Sequence, residues 1–453
     1  VATLAVPPAS GPLDVTLDVP PSKSIHQRAL LLAVLGDRGA TTDLVAHGPI
    51  PEDVRRLAGA LAGLVGRPVA PTGPVAGAVG SNGDLDGDLD GDLDGDLDGD
   101  LDGGRDRVRC DLGMNGTGLR LAIAAAGLRP VGARTLLTGR PRLRARPHGV
   151  LLRALGRLGA HAHRRLTGAV RVLGARWDRH DVALPADRSS QPASALLLNA
   201  PRQGGLAMTL VGPGVSRGYL ALTEQVLAAF GCPVTTRGPT RVVAAGSPRC
   251  PRFVVEPDAS SAAVWWAAAA LTAGRARVRG LGPASAQPDA ALLGVLVRMG
   301  ARVETGPDGD AVVTGPVRCR GAGEVDLRDA PDLAPLVAAL AAGAEGETRV
   351  VGAPHLRDKE SDRIATAVAA VVALGGDAEG TADGFVVRGR ALRGGNVAVA
   401  GDHRLALAFG VLGLVVPGVA LVGVEAVAKS YPGFSAVLRA VALGERDPSP
   451  RAA

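Results

Sequence analysis

Two kinds of apolar helix alternate along this chain. The first is amphipathic and ends in glycine: DVRRLAGALAGLVG closes at Gly66, VLLRALGRLG at Gly159, LTEQVLAAFG at Gly231, LLGVLVRMG at Gly300 and IATAVAAVVALG at Gly375, with a weaker sixth, FSAVLRAVALG, at Gly444. Glycine is the residue expected just past a helix that feeds a turn, and short strand-like segments such as ARVE and CPVTT follow most of them. The intervals between these glycines are 93, 72, 69, 75 and 69 residues, and the first falls to 73 once five tandem Gly-Asp-Leu-Asp copies, 20 residues at 83–102, are set aside. The second kind is apolar nearly all round: RALLLAVLG, GLRLAIAAAGL, ASALLLNA, SSAAVWWAAAAL, LAPLVAALAAG and HRLALAFGVLGL. Helices apolar on every face are buried. The pattern predicts six units of roughly seventy residues, each with an inner helix, an outer helix and strands between.

Each inner helix is introduced by small or polar residues: Ser22-Lys23-Ser24, Asn115-Gly116-Thr117, Ser189-Ser190-Gln191, Asp258-Ala259-Ser260-Ser261, Pro331-Asp332 and Asp402-His403. Helix N-termini carry free N–H groups and a positive dipole end. Six of them brought together would form an anion-binding surface. Taken singly, the Ser, Asn and Asp residues read equally well as ordinary N-caps.

At 453 residues the chain is long enough for more than one core. Aromatics are only 2%, too few for a stacking-based reader of single-stranded nucleic acid. The net charge of +6 hides an asymmetry, because ten of the 44 acids lie at 84–102. The rest carries 50 bases against 34 acids, or +16, which suits anionic partners, either nucleic acid or small phosphorylated and carboxylated metabolites. These bases sit in motifs rather than in runs, so no nucleic-acid partner is expected. The acidic insert at 83–104 is low in complexity and is expected to be a disordered, solvated loop without chemistry, with weak calcium binding as the alternative. Cys110, Cys232, Cys250 and Cys319 show no CxxC spacing and read as reduced thiols. The first twenty residues show no signal-peptide pattern, and the uncharged run at 405–424, broken by Pro417, reads as a helix, a turn and a strand rather than a membrane span. The expectation is a cytoplasmic protein.

Only three of the fifty bases are lysine: Lys23 in PPSKSIHQRALLLA, Lys359 in HLRDKESDRI and Lys429 in VAKSYPGF. An ammonium is a compact point charge that fits between anions and shifts its pKa readily, so lysines kept in an arginine-rich chain read as site residues. Residues 358–363 open the outer helix that closes at Gly375; if helical, Lys359 and Arg363 share a face with Glu360 beside them. An ordinary surface ion-pair network is the plain alternative. Asp332, at the start of an inner helix, is a candidate base or an N-cap.

Together the segments PSKSIHQRALLLA, LGMNGTGLR, GRPRLRARP, SSQPASALLLNAP, DASSAAVWWAAAAL, PDLAPLVAALA, HLRDKESDRI, DHRLALAFGVLGL and KSYPGF resemble the 5-enolpyruvylshikimate-3-phosphate synthase (3-phosphoshikimate 1-carboxyvinyltransferase) family. The resemblance implies an α/β, enolpyruvyl transferase-like fold: two domains, each of three βαβαββ repeats with buried helices, an inside-out α/β barrel. It places residues 1–19 with 252–453 in a C-terminal domain and 20–251 in an N-terminal one, with crossovers near Pro20 and Arg252 and the active site in the cleft. The implied reaction transfers the enolpyruvyl group of phosphoenolpyruvate to the 5-hydroxyl of shikimate 3-phosphate and releases phosphate. By motif match, Lys23, Ser24, Arg28, Ser189, Ser190, Gln191, Ser216, Tyr219 (as a ring platform), Asp332, His355 and Lys359 would hold shikimate 3-phosphate. Lys23, Gly116, Arg120, Arg142, Gln191, Arg363, Arg404 and Lys429 would hold phosphoenolpyruvate. Asp332 would accept the hydroxyl proton, Glu360 would donate to the methylene, and Lys23 completes the catalytic set. The resemblance implies a monomer without metal or cofactor.

The chain departs from the family at Met114, where Asn is usual, at His355, where Asn is common, at HGPIPEDV, which replaces an Asp-rich segment, and at Leu121, where Pro is frequent. One rival is the UDP-N-acetylglucosamine enolpyruvyl transferase, which carries a reactive Cys on the loop matching 140–147; that loop here has none. The other is a non-catalytic metabolite-binding relative, which the retained carboxylates and lysines disfavour.

Overall fold

The computed structural model of the protein describes residues 2–80 and 107–448. The acidic insert, and the disorder expected of it, fall outside the described residues. Along the chain run α1 (Lys23–Val34), α2 (Glu52–Val65), α3 (Gly116–Ala126), the short α4 (Pro141–Ala145), α5 (Gly149–Arg157), α6 (Gln191–Asn199), α7 (Arg217–Ala229), α8 (Ala259–Leu271), α9 (Leu292–Arg298), α10 (Ala334–Ala342), α11 (Arg363–Ala373), α12 (His403–Leu412) and α13 (Phe434–Ala442). The uniformly apolar helices α1, α3, α6, α8, α10 and α12 are almost wholly buried, as patterning without a polar face requires. The amphipathic helices α2, α5, α7, α9, α11 and α13 lie outside them. All six glycines that close those outer helices have positive φ, from 65° at Gly66 to 100° at Gly300. That conformation is open to glycine at little steric cost, and all but Gly444 lead on to a described strand.

Six small sheets follow the same repeat. In each, a parallel pair is extended by one or two antiparallel strands: Asp181–Pro185 runs parallel to Gly205–Val211, which then pairs antiparallel with Thr240–Ala244. Among the described residues the sheets do not join into one closed hydrogen-bonded barrel; helices, not strands, fill the interior.

The buried apolar side chains form two clusters. One gathers residues 25–255 and the other residues 4–19 with 259–442. Asp14–Leu17 pairs in parallel with Arg275–Val278, and Thr3–Ala5 lies antiparallel to Val419–Val422, so the first strands belong to the C-terminal cluster. At the other crossing, Arg252–Val255 pairs in parallel with Thr41–Ala46, and Val255 packs in the N-terminal cluster. The apolar side chains therefore pass from one cluster to the other between Val255 and Ala259.

Trp265 is fully buried in the C-terminal core, with its indole N–H donating to the Tyr431 hydroxyl at 3.0 Å. Trp265→Ala is expected to lower the stability of that core by about 3–5 kcal/mol. Chemical denaturation followed by circular dichroism measures this, and a loss below about 1 kcal/mol would contradict the packing described.

Candidate active site

The N-termini of inner helices from both cores face one cleft. Four use the side chains that polar patterning suggested as caps: Ser22, Asn115, Asp258 and Asp402 each accept from a backbone N–H in the first turn. Ser22 also donates to Gln287 at 2.8 Å, and the Lys23 N–H donates to Asp258 at 3.3 Å, so α1 and α8 are tied together across the two cores. Asp332 is not a cap. It lies in the 3-10 turn Pro331–Leu333 ahead of α10, with its carboxylate turned to cations.

At the centre is Arg363, whose side chain is 1% exposed. Its guanidinium donates to Asp332 Oδ1 at 2.7 Å, to Glu360 Oε2 at 3.0 Å and to Asp402 Oδ2 at 2.8 Å. Residues 358–363 do not open a helix as the sequence pattern suggested. Asp362 caps α11 by accepting from the N–H groups of Ile364 and Ala365, so the helix starts at Arg363 and Lys359 and Glu360 lie in the loop before it. Lys359 and Arg363 still meet, because both reach Asp332 Oδ1, Lys359 at 3.7 Å.

The three lysines converge. Lys23 Nζ lies 3.1 Å from Asp53, Lys359 pairs with Asp332 as above, and Lys429 Nζ lies 2.5 Å from Glu360 Oε1. Arg404 bridges Asp332 Oδ2 at 2.7 Å and Asp289 Oδ2 at 3.3 Å. One cavity is lined by Lys23, Ser24, Arg28, Ser189, Ser190, Gln191, Ser216 and Tyr219 from the N-terminal core, facing Asp332, Lys359 and Glu360 from the C-terminal one; Thr117 and Arg146 complete it. His355 lines an adjoining pocket with Arg120, Arg146 and Lys359.

Several arginines of the expected set bond to the protein around the cavity. Arg28 is buried and donates to Thr223, to the Ser24 carbonyl at 2.6 Å and to the Tyr219 carbonyl at 3.2 Å, which braces the tyrosine. Arg120 is spent on Gln191 Oε1 at 2.5 Å and on the Gly116 and Pro147 carbonyls. Arg142 does not enter the cavity: its guanidinium donates to the backbone carbonyls of Arg357, Lys359 and Glu360 at 3.1–3.2 Å, from one core to the other. Arg146, one helical turn further on, reaches the cavity instead and approaches Glu360 at 3.9 Å. A Cβ at Gly116 would run into its guanidinium, so the glycine makes the space that Arg146 occupies. GRPRLRARP offers four arginines, and its sequence alone could not choose among them. Asp53 and Asp289 were also missed; their partners are far away in sequence. None of the four cysteines lines the cavity.

Burial opposes ionisation of both central carboxyls, and the cations outweigh it. Arg404, Lys359 and Arg363 hold Asp332 well below the usual carboxylate range; Lys429, Arg363 and Arg146 do the same for Glu360. His355 goes down to about 4 through burial and the Lys359 charge, so it is neutral at pH 7. Among the described residues no group of three or more His, Cys, Asp or Glu could hold a metal ion.

Because their folded pKa values lie below their unfolded ones, Asp332 and Glu360 contribute stability that is full above the ordinary carboxylate range. It is lost as pH falls through the lowered values. Thermal denaturation followed from pH 7 down to about pH 3 should show a steep fall below about pH 4 that flattens in Asp332→Asn. An unchanged slope in the variant would contradict the pairing.

The EPSP synthase (3-phosphoshikimate 1-carboxyvinyltransferase) family model matches residues 102–438. The chain is 37% identical over 431 residues to a 3-phosphoshikimate 1-carboxyvinyltransferase of Halobacterium salinarum, covering 92% of this chain and 94% of that one. Its identity to the protein of that name from Syntrophobacter fumaroxidans is 36% over 441 residues, covering 95% and 97%. In fold it is similar to EPSP synthase from Acinetobacter baumannii, with a TM-score of 0.75 at 24% identity over 98% of this chain and 99% of that one. It is also similar to the enolpyruvyl transferase NikO from Streptomyces tendae, with a TM-score of 0.69 at 18% identity over 95% of each. This chain belongs to the EPSP synthase family.

Proposed function

We propose that this enzyme transfers the enolpyruvyl group of phosphoenolpyruvate to the 5-hydroxyl of shikimate 3-phosphate, with Asp332 and Glu360 moving the protons. The observation that carries the reading is the convergence of Lys23, Lys359, Lys429 and Arg146 around those two carboxylates, between two separate cores. Two polyanions must be brought together, and a desolvated set of fixed cations offsets their repulsion. Lys23, Ser24, Ser189, Ser190, Gln191 and Ser216 would hold the phosphate and ring hydroxyls of the acceptor, with Tyr219 against the ring. Arg146, Lys23 and Lys429 would take phosphoenolpyruvate, while Arg363, Arg404 and Arg120 hold the groups around it.

In the first step the 5-hydroxyl oxygen bonds to the enol carbon as Asp332 takes its proton and Glu360 protonates the methylene. In the second, the new methyl returns a proton to Glu360 and the C–O bond to phosphate breaks, the hydroxyl proton leaving with phosphate. Glu360 is held ionised by Lys429, Arg363 and Arg146. When the anionic groups of phosphoenolpyruvate draw Lys429 and Arg146 to themselves, that hold weakens and Glu360 takes up one proton from solvent, which it gives to the methylene and recovers from the methyl in the second step. The two cores act as the two domains of this reading, residues 2–19 with 259–448 closing on residues 25–255. We place the enzyme in the cytoplasm as a monomer. Three buried free cysteines support the first part, and no described helix is long and apolar enough to cross a membrane.

Purified protein should release phosphate from phosphoenolpyruvate only when shikimate 3-phosphate is present. Lys23→Met should reduce kcat/KM by at least about a thousandfold with the fold intact. Glu360→Gln should lower kcat by about a hundredfold or more while shikimate 3-phosphate still binds in calorimetry. Near-normal turnover in either variant would refute the role given to that residue.

A further inference from the structure

Asp289 is a buried carboxyl that the mechanism above leaves unused. It comes from the 3-10 turn Pro288–Ala291 and is 1% exposed. The Tyr219 hydroxyl lies 3.3 Å from Asp289 Oδ1 and 3.2 Å from Asp332 Oδ2. Arg404 also bridges the same two carboxyls, and Ser260 donates to Asp289 Oδ2. A guanidinium has donors enough for both acids, but a phenol has one proton and can donate to only one at a time. The second short contact becomes a hydrogen bond when one of the carboxyls carries a proton.

We infer that Asp289 is a positioning residue that shares a proton with Asp332 through the phenol of Tyr219. The inference rests on Asp332 being the base. Once Asp332 has taken the substrate hydroxyl proton, its O–H passes that proton to the Tyr219 oxygen while Tyr219 passes its own to Asp289 Oδ1. One O–H bond breaks at Asp332 and one forms at Asp289, and the phenol is regenerated. Asp332 regains its negative charge and its ion pairs with Arg404 and Arg363, and Asp289 becomes neutral. When phosphate departs the transfer runs backwards, and the proton leaves on phosphate, so the cycle needs no outside donor.

The charges around Asp289 fit this task. It faces Ser260 and Asp258 at the start of α8, Arg404 on α12, Tyr219 on α7 and Asp332 ahead of α10. Burial and the carboxylates of Asp332 and Asp258 outweigh Arg404 and Ser260 and push it up to about 6. At neutral pH it is ionised and can accept; below that value it is already protonated and cannot.

The test combines kinetics with a substrate-free readout. Asp289→Asn and Tyr219→Phe should each lower kcat by about tenfold or more at pH 7.5 with KM for phosphoenolpyruvate within about threefold. The double variant should be no slower than the worse single one, as for groups acting in one chain. The acid limb of the kcat profile should vanish in Asp289→Asn. Wild-type kcat and an intact acid limb in Asp289→Asn would overturn the proposal, as would losses in the two variants that multiply. Infrared difference titration of the substrate-free enzyme, wild type against Asp289→Asn, should show a buried carboxyl band that titrates on the acid side of neutrality and moves in Tyr219→Phe. Absence of that band overturns the proposal even if the enzyme turns over as assigned, whereas failure of the wild type to release phosphate strikes the reaction assignment and leaves the infrared result to stand or fall alone.

Discussion

One guanidinium holds the site together. Arg363 is buried against Asp332, Glu360 and Asp402, which come from a turn, a loop and a helix cap in two successive units. Such a cluster is a weak source of net stability, because desolvating four charges costs about what their attraction returns. Removing the arginine would nonetheless leave three carboxylates buried near one another, a loss of roughly 3–5 kcal/mol or more. What the cluster secures is position: two carboxylates kept charged, fixed in direction, and open to cations on their other sides.

The scaffold follows from that requirement. Charged groups that must sit a few ångströms apart in a desolvated cleft need rigid mounts, and helices buried on every side are the stiffest the chain has. Six turns of one pattern supply them, three per core, with the polar N-termini brought to the cleft and the glycine-ended outer helices facing away. Arg142 then links the cores by donating to the backbone carbonyls of Arg357, Lys359 and Glu360. Its bonds fix the backbone of the loop, whereas Arg146 supplies charge to the cavity.

Much of this was legible in the sequence, for physical reasons. A helix with no polar face has one destination, and a glycine at a fixed distance beyond an amphipathic helix announces a left-handed turn; both signals are local. The three lysines stood out because the rest of the chain uses arginine. What periodicity does not encode is the choice between local caps and the partners that come from far along the chain. Asp362 stops the helix from reaching back to residue 358, a choice between capping residues that periodicity does not make. Arg142 lies within a short helix and Arg146 just past its end, in extended backbone, a difference that spacing does not show. Asp289 looks like any acid in a turn, since its partners Tyr219, Asp332 and Arg404 lie 43–115 residues away.

The central claim is that two small polyanions bind between the cores within reach of Asp332 and Glu360. A crystal structure of Glu360→Gln with shikimate 3-phosphate and phosphoenolpyruvate tests it most directly. The account predicts both ligands in the one cleft, their anionic groups on Lys23, Arg146, Lys429 and the serines at 189 and 190, with the acceptor hydroxyl in hydrogen-bond reach of Asp332. Ligands bound on an outer face, or a phosphoenolpyruvate held by Arg142 with Arg146 turned away, would contradict it.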